Sequence, residues 1–314
     1  VTYTENGTVK TISGVGPTTT QIVTAGYPES TGTIEISLSE IAATCINDEL
    51  FSVATAIITP APMASFNADN ACQDSMVMFN NTSTISSGTI AAYKWYFGDG
   101  DSSQAVSPSH AYASAGTYTV TLIAYSENGC ENMVTSDVTV FDAPVADFTY
   151  DNVCKNEEFS ATDASTIASG TIVSRVWDFG DNTPVSTDLN PTHTYASSGN
   201  YFVTLTVTSD NGCINEVSKE VTIYVLPDAD FTADDVCEDA AMNFYNGSAI
   251  SYGSMTYDWT FDNQGTSTDV NPAFTFTGNG MFNVKLVATS NNGCKDSVTN
   301  VVNVWPKPVA GFTV

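Results

Sequence analysis

Apolar and polar residues alternate strictly along much of this chain, most clearly over residues 116–122. In that run Tyr118, Val120 and Leu122 share one face, and the threonines between them share the other. A period of two is typical of a half-buried antiparallel strand, and no window sustains the 3.6-residue period of an amphipathic helix. The pattern therefore predicts an all-β protein.

The alternating run belongs to a unit that occurs three times, because its tryptophan stands at positions 95, 177 and 259, which are 82 residues apart each time. Each copy holds a proline, a short run ending in Phe, a Cys, the Trp motif, a second proline, and a Gly-led strand that ends near Asn-Gly-Cys. Short strands divided by Gly, Pro, Asn and Asp predict one small β-sandwich per copy.

A fixed set of residues marks each copy, and we expect it to form the structural framework of each sandwich. The third copy departs from the others, because Asp262-Asn263 replace Gly-Asp and Phe274 replaces His. The framework residues are Trp95, Phe97, Gly98, Asp99, His110 and Tyr112, then Trp177, Phe179, Gly180, Asp181, His193 and Tyr195, then Trp259 and Phe261.

The order Trp-x-Phe-Gly-Asp-Gly, Pro-x-His-x-Tyr and Gly-x-Tyr-x-Val-x-Leu resembles the PKD domain, an Ig-like β-sandwich of extracellular proteins. The resemblance extends over roughly residues 61–306 and implies tandem Ig-like sandwiches. The resulting domains are the C-terminal part of a diverged Ig-like domain at 1–61, PKD-like domains at 62–143, 144–226 and 227–306, and the start of a further repeat at 307–314.

The junctions between the repeats are short and contain proline, as in Phe141-Asp142-Ala143-Pro144. Proline fixes its own φ angle, and no Gly/Ser linker separates one repeat from the next. We therefore expect an elongated, semi-rigid rod.

The chain carries 8 basic and 35 acidic residues, a net charge of −27. A hydrophobic content of 42% excludes a disordered acidic tail. An anionic surface repels phosphates and anionic lipid, so we expect no nucleic-acid partner and no direct membrane insertion. The charge itself has two interpretations, solubility of a crowded surface protein or binding of a divalent cation.

Seven cysteines follow the repeat, and pairing within each copy gives separations of 58, 59 and 57 residues. One disulfide per domain would indicate an oxidising compartment, and a zinc site is disfavoured because the chain has no Cys-x-x-Cys. Cys45 is left over, so its partner is expected upstream of Val1 in a longer secreted protein. The predicted pairs are Cys72–Cys130, Cys154–Cys213 and Cys237–Cys294.

The only two histidines, His110 and His193, occupy the same repeat position. An active-site His is expected once with unique partners, so we expect these to hydrogen-bond a loop near the Trp motif. Asp99 and Asp101, or Asp178 and Asp181, imitate a two-carboxylate site, but their place in a turn favours a structural role. We predict no catalytic residues and no enzyme activity.

Asp99, Asp101 and Asp181 are the candidate metal ligands, since carboxylates in a Gly-bent loop suit Ca²⁺. The alternative is that each Asp bonds its own turn backbone. No other cofactor is expected.

Exposed side chains offer two further hypotheses. Tyr93, Trp95 and Tyr96 form one candidate sugar platform, and Tyr252 and Tyr257 form another. Alternation puts Trp95 in the core and Tyr96 outside. Ser75 and Ser297 lie in Asp-Ser-apolar triplets, which resemble the O-glycosylation motif of Bacteroidota secreted proteins.

Tandem Cys-bearing repeats with Asn-Gly-Cys look like the arrays of giant bacterial surface adhesins, including gliding-motility adhesins exported by the type IX system. That resemblance implies an extracellular, cell-surface stalk. Its partners would be neighbouring repeats, with a polysaccharide or protein ligand bound through other regions. Two alternatives stay open: accessory polymer-binding modules of a secreted hydrolase, and calcium-dependent homophilic adhesion.

Overall fold

The computed structural model describes four short N-terminal strands and residues 60–311. The chain comprises two compact units, Val1–Ala143 and Pro144–Val314. The N-terminal strands form one antiparallel sheet in the order β2-β1-β3-β4. They are β1 (Thr2–Glu5), β2 (Thr8–Thr11), β3 (Gly32–Ser37) and β4 (Ala54–Ile58). Cys45 and most of residues 1–59 lie outside the described residues, so the Ig-like interpretation of that segment stays a prediction.

The first repeat is built on a five-stranded sheet in the order β10-β9-β12-β13-β6, accompanied by the pairs β11-β7 and β5-β8. Its strands are β5 (Phe66–Asn67), β6 (Ala71–Cys72), β7 (Met76–Met78), β8 (Asn80–Asn81), β9 (Ile90–Tyr96), β10 (Ser102–Ser103), β11 (Ser109–Ala111), β12 (Gly116–Ser126) and β13 (Glu131–Phe141).

The second repeat has two sheets, β14-β16-β18 and β15-β20-β19-β17. Its strands are β14 (Phe148–Tyr150), β15 (Val153–Cys154), β16 (Glu158–Asp163), β17 (Ile172–Asp178), β18 (Thr192–Thr194), β19 (Gly199–Ser209) and β20 (Ile214–Tyr224).

The third repeat has the sheets β21-β23-β26 and β22-β28-β27-β24-β25. Its strands are β21 (Phe231–Ala233), β22 (Val236–Cys237), β23 (Met242–Asn246), β24 (Met255–Phe261), β25 (Gly265–Ser267), β26 (Ala273–Phe274), β27 (Gly280–Ser290) and β28 (Lys295–Trp305).

A long hairpin of two eleven-residue strands forms the centre of each sandwich, as in β12–β13. Val120, Leu122 and Ala124 of β12 are fully buried, and the residues between them are more exposed. Each of the three repeats has its own core of buried apolar residues. The alternating pattern therefore gave the correct inward face, and the all-β prediction is confirmed.

The strand that carries the first cysteine of each repeat pairs in parallel with the last strand, at the end of that strand. Cys154 is the register partner of Tyr224, the last residue of β20. Cys213 immediately precedes Ile214, the first residue of β20. At about 3.3 Å per residue, the two cysteines lie roughly 35 Å apart, at opposite ends of one sandwich.

The predicted disulfides are wrong for this reason, because a disulfide requires Cα atoms about 4.4–6.8 Å apart. Cys154 is bonded instead to Cys294 of the third repeat, with a Cα–Cα distance of 5.7 Å. Cys154–Cys213 and Cys237–Cys294 are therefore excluded. Cys72–Cys130 is excluded as well, because Cys72 lies beside Phe141 at the far end of β13 from Cys130.

Cys72 and Cys213 are disulfide-bonded too. Such bonds form in an oxidising compartment, as the repeated cysteine positions predicted. Within the part of the chain that the structure describes, no helix has the length and apolar character to span a bilayer.

Candidate functional site

The Trp motif is the core of each sandwich. The indoles of Trp95, Trp177 and Trp259 are at most 1% exposed. Their Nε1–H groups donate to carbonyl oxygens of the following loop, 3.0 Å away in the first repeat and 2.9 Å in the others. The core prediction for the tryptophans is confirmed. Trp95 cannot belong to a sugar platform, whereas Tyr96 faces outward and is 40% exposed.

The Gly-Asp turn brings the chain tightly against the neighbouring strand. Gly180 has a φ of +75°, and a Cβ at that position would lie 2.6 Å from the carbonyl oxygen of Phe202. Gly98 has the same conformation and a similarly close approach to Thr119. The close approach explains why glycine stands here, since an added methyl group has no room.

The aspartate after each of these glycines bonds both a histidine and its own turn. Asp99 Oδ2 lies 2.6 Å from His110 Nε2, and Asp99 Oδ1 accepts the backbone N–H of Asp101 at 3.0 Å. In the second repeat, Asp181 Oδ2 lies 2.7 Å from His193 Nε2. The predicted histidine-to-loop bond and the predicted turn bond of Asp99 are both confirmed.

These bonds set the protonation behaviour of the two aspartates. Partial burial raises the pKa of Asp99, but the bonds from His110 and from the backbone N–H of Asp101 outweigh burial, so that its pKa lies below the ordinary value. Partial burial likewise raises the pKa of Asp181, but the hydrogen bonds from Thr183 and His193 together outweigh burial, so that its pKa also lies below the ordinary value. Both aspartates are held as carboxylates at neutral pH.

Each histidine is also held by aromatic rings. His110 stacks on Phe97 at a centroid distance of 4.3 Å and meets the edge of Tyr112 at 4.7 Å. A ring covered on these sides and bonded to Asp99 is arranged to stabilise the turn rather than to transfer protons to a substrate. In the third repeat Phe274 stacks on Phe261 at the same distance of 4.3 Å.

A tyrosine completes this arrangement in the first two repeats. Tyr112 donates its hydroxyl hydrogen bond to the carbonyl oxygen of Phe97, and Tyr195 donates to that of Phe179, each at 3.0 Å. Burial raises the pKa of both tyrosines. Phe276 occupies the equivalent buried position in the third repeat and has no hydroxyl group.

The candidate calcium ligands do not form an all-oxygen cage. Potential ligand atoms of Asp99, Asp101 and His110 lie within 4.8 Å of one another. This set includes an imidazole nitrogen, whereas Ca²⁺ prefers oxygen ligands. Both oxygens of Asp99 already accept hydrogen bonds, and Asp181 Oδ1 accepts from the Thr183 hydroxyl at 2.6 Å. Calcium binding by Asp99, Asp101 and Asp181 stays a prediction.

The outward face of β9 and β12 carries aromatic and basic side chains together. Lys94 Nζ lies 4.9 Å from the ring centroid of Tyr96. Tyr125 is opposite Ala92 on the neighbouring strand, and Ala92 is exposed. A groove beside β9 is lined by Ile90, Ala91, Ala92, Tyr93, Lys94, Gln104, Val106 and Tyr125.

The two candidate glycosylation sites are accessible. Ser75 is exposed in the turn after Asp74, and Ser297 is exposed on β28. Their modification stays a prediction.

A comparison with known protein families divides the chain into the same three repeats. A family model described as "PKD domain" matches residues 59–140, 141–225 and 224–305. The pre-pro-metalloprotease PrtV of Vibrio cholerae serotype O1 (strain M66-2) is 29% identical over 166 residues, which are 52% of this chain and 18% of that protein. A microbial collagenase of Vibrio alginolyticus is 33% identical over 139 residues, 43% of this chain and 17% of that protein.

Among solved structures, the crystal structure of the PKD1 domain of Vibrio anguillarum Epp is 35% identical, covers 26% of this chain and 95% of that one, and has a TM-score of 0.25. The chain spans less than a fifth of the length of the two curated relatives. The family model matches most of the chain in three consecutive copies. This chain therefore belongs to the PKD domain family.

Proposed function

We propose that the three repeats are non-catalytic accessory modules of a secreted hydrolase, and that they hold a polymeric substrate beside its catalytic domain. The observation that carries this proposal is the similarity to a metalloprotease and a collagenase. In both relatives the similarity is confined to a small part of a much longer protein. The contacts among Asp181, His193 and Phe179 stabilise a turn. This structural role of the histidine supports a non-catalytic module.

The polymer would bind the outward face of β9 and β12. Tyr96 and Tyr125 present rings, Lys94 presents a cation, and the small exposed side chain of Ala92 lets an extended chain approach the sheet. Aromatic side chains with a polar end are common in binding surfaces, because they bury much area with little loss of conformational entropy.

Sedimentation with insoluble polymers tests this proposal. The 314-residue chain is mixed with fibrillar collagen or with chitin, and the protein left in solution is measured along with any soluble product. We expect at least one polymer to remove the chain from solution without hydrolysis. Tyr96→Ala should weaken that binding several-fold, whereas Tyr252→Ala, at an 82% exposed position in the third repeat, should not. Hydrolysis by the chain, or no binding to either polymer, would overturn the proposal.

A second candidate function is a spacer in the stalk of a cell-surface adhesin. It is favoured by the Cys154–Cys294 bond, which joins consecutive sandwiches covalently. The intact mass and domain content of the source polypeptide separate the two candidates. A polypeptide of many tandem repeats without a catalytic domain supports the stalk, and one with a hydrolase domain supports the accessory module.

A further inference from the structure

The disulfide between the second and third repeats joins two specific places in the fold. Cys154 stands at the end of the second sandwich, beside the last residue of β20. Cys294 stands in the hairpin between β27 and β28, at the end of the third sandwich that lies opposite Cys237. The residues are 140 positions apart in sequence, and both are buried, with exposures of 7% and 1%.

Cys237 is the counterpart of Cys154 in the third sandwich, with the same local structure. It is the register partner of Trp305, as Cys154 is of Tyr224. Each cysteine carbonyl accepts a backbone N–H three residues later, at 3.0 Å for Cys154 and 3.1 Å for Cys237. The backbone therefore presents the two thiols in equivalent positions.

The surroundings of the two cysteines differ. Cys237 is a free, exposed thiol, whereas Cys154 is covered and bonded. Trp305 beside Cys237 is 53% exposed, whereas its counterpart Tyr224 is half-buried. The second sandwich is bonded to the following domain at this end. The equivalent end of the third sandwich exposes a thiol and a large apolar ring.

We propose that Cys237 is a covalent attachment site for a further PKD-type domain that is joined after Pro308 and seated on this end of the third sandwich. The bonding partner is the cysteine of that domain's Asn-Gly-Cys hairpin. The sequence Pro308-Val309-Ala310-Gly311-Phe312 has the same form as Pro227-Asp228-Ala229-Asp230-Phe231, which opens the third repeat. The occupant is therefore a domain with the sequence features of the one that occupies the equivalent end of the second sandwich.

The hairpin of such a domain holds its thiol in a fixed position. In the third repeat, the backbone N–H of Cys294 donates to Ser290 Oγ at 3.1 Å, and the backbone N–H of Ser290 donates to the Cys294 carbonyl at 2.8 Å. Cys213 is held by Ser209 in the same way. A thiol positioned by its own hairpin loses little conformational freedom when it bonds.

Disulfide formation needs an electron acceptor, and a disulfide of a protein thiol oxidant is the class that we name. The Cys237 thiolate attacks that disulfide, forms a mixed disulfide and releases one oxidant thiolate. The hairpin thiolate then attacks the Cys237 sulfur and displaces the second oxidant thiolate. Two electrons pass to the oxidant, which becomes a dithiol, and the two protein thiols lose their protons.

A four-repeat chain tests the proposal directly. Residues 309–314 are replaced by a copy of residues 228–306, so that a complete sandwich follows Pro308. The copy carries Cys237→Ser, which removes its own end thiol, and Lys295→Arg at an exposed position, which gives its hairpin peptide a distinct mass. The chain is folded with a disulfide oxidant, alkylated and digested without reduction.

We expect the Cys237 peptide to be linked to the hairpin peptide that carries the Lys295→Arg mark in nearly all molecules. The Cys154–Cys294 link in the same digest shows that folding and oxidation were complete. A matched version with Cys294→Ser in the copy should return Cys237 fully alkylated.

Recovery of alkylated Cys237 alongside an intact Cys154–Cys294 link would overturn the proposal. So would a link from Cys237 to a second molecule or to a small thiol. This test does not involve polymer binding, so its failure leaves the proposed function untouched, and the reverse also holds.

Discussion

His193 Nε2 lies 2.7 Å from Asp181 Oδ2, while the same imidazole stacks on Phe179 with ring centroids 4.3 Å apart. One side chain therefore connects the Gly-Asp turn to an aromatic ring of the core. In the third repeat Phe274 keeps the stacking and lacks the polar bond. Gln264 there accepts the backbone N–H of Thr277 at 2.7 Å instead. The ring is thus common to all three sandwiches, and the polar connection varies.

We expect Asp181→Asn to lower the free energy of unfolding at neutral pH by about 1 kcal/mol, because it weakens a charge-assisted hydrogen bond. It should also reduce the loss of stability in acid. The folded-state pKa of Asp181 lies below its unfolded value of about 3.9. Such a group contributes its full stability above the unfolded pKa and loses it as the pH falls through the folded pKa. The affected window is therefore below about pH 4.

Urea unfolding of the parent chain and of Asp181→Asn, followed by tryptophan fluorescence, measures the effect. The unfolding curves are recorded at neutral pH and at several pH values below about 4. Asp151→Asn is the matched control, since Asp151 is an exposed carboxylate of the same repeat. An acid dependence in Asp181→Asn equal to that of the parent chain would show that the Asp181–His193 bond contributes nothing to stability.

Tyr195→Phe should cost about 1–2 kcal/mol, because it removes a buried hydrogen bond to the carbonyl oxygen of Phe179. The sandwich should still fold, since Phe276 occupies this position in the third repeat. Burial raises the folded-state pKa of Tyr195, so its contribution is complete below about pH 10 and is lost as the pH rises further. The variant should therefore lose less stability than the parent in strong alkali.

Tyr201→Phe is the control for this change, because its hydroxyl donates to Ser197 at the surface at 2.9 Å. Chemical unfolding at neutral pH should rank the Tyr201 variant close to the parent and the Tyr195 variant well below it. Equal losses in the two variants would contradict a special role for the buried bond.

Gly180→Ala should destabilise the second sandwich by more than about 2 kcal/mol. The new Cβ would lie 2.6 Å from the carbonyl oxygen of Phe202. The φ of +75° at position 180 adds the cost of a left-handed backbone. Gly212→Ala separates the two effects, since Gly212 has a φ of +79° and no atom within 4 Å of a Cβ. It should lose only the backbone cost of about 1 kcal/mol. Matching unfolding midpoints for the two variants would rule out the steric effect.

The sequence was sufficient for the features that depend on local pattern. Alternation over residues 116–122 predicted the inward face of β12, since a strand places successive side chains on opposite sides. It also placed Trp95 in the core and Tyr96 outside, as observed. The equivalent positions of His110 and His193 were enough to favour a structural bond over catalysis.

The disulfide between repeats could not be predicted, because its spacing does not distinguish it from a pairing within one repeat. Because the chain repeats about every 82 residues, each cysteine has an equivalent cysteine in the next repeat. A partner from the next repeat therefore fits the sequence pattern as well as a partner from the same repeat. The parallel pairing of β15 with the end of β20 decides between the two, since it puts a full strand length between Cys154 and Cys213. That pairing joins Val153 to Ile223, and a two-residue strand gives too little pattern to reveal such a distant partner.

The bond between Cys154 and Cys294 should carry tension past the residues between them. When the chain is pulled at residues 144 and 306, force passes through the disulfide, and only the short flanking segments can extend. Reduction should release a loop of 140 residues, which at roughly 3.3–3.6 Å per residue adds about 500 Å of contour length. Single-molecule force–extension curves with and without reductant, using handles attached without thiol chemistry, measure this difference.

The double variant Cys154→Ser/Cys294→Ser is the control for this prediction. It should show the long extension without reductant, and reductant should change nothing further. An oxidised parent chain that already extends by the full length would contradict the bond between repeats. A short extension that persists after complete reduction, verified by alkylation of Cys154 and Cys294, would show instead that non-covalent contacts resist the force. The mechanical restraint is assigned to the disulfide only if reduction lengthens the extension of the parent chain and the double variant shows the same long extension without reductant.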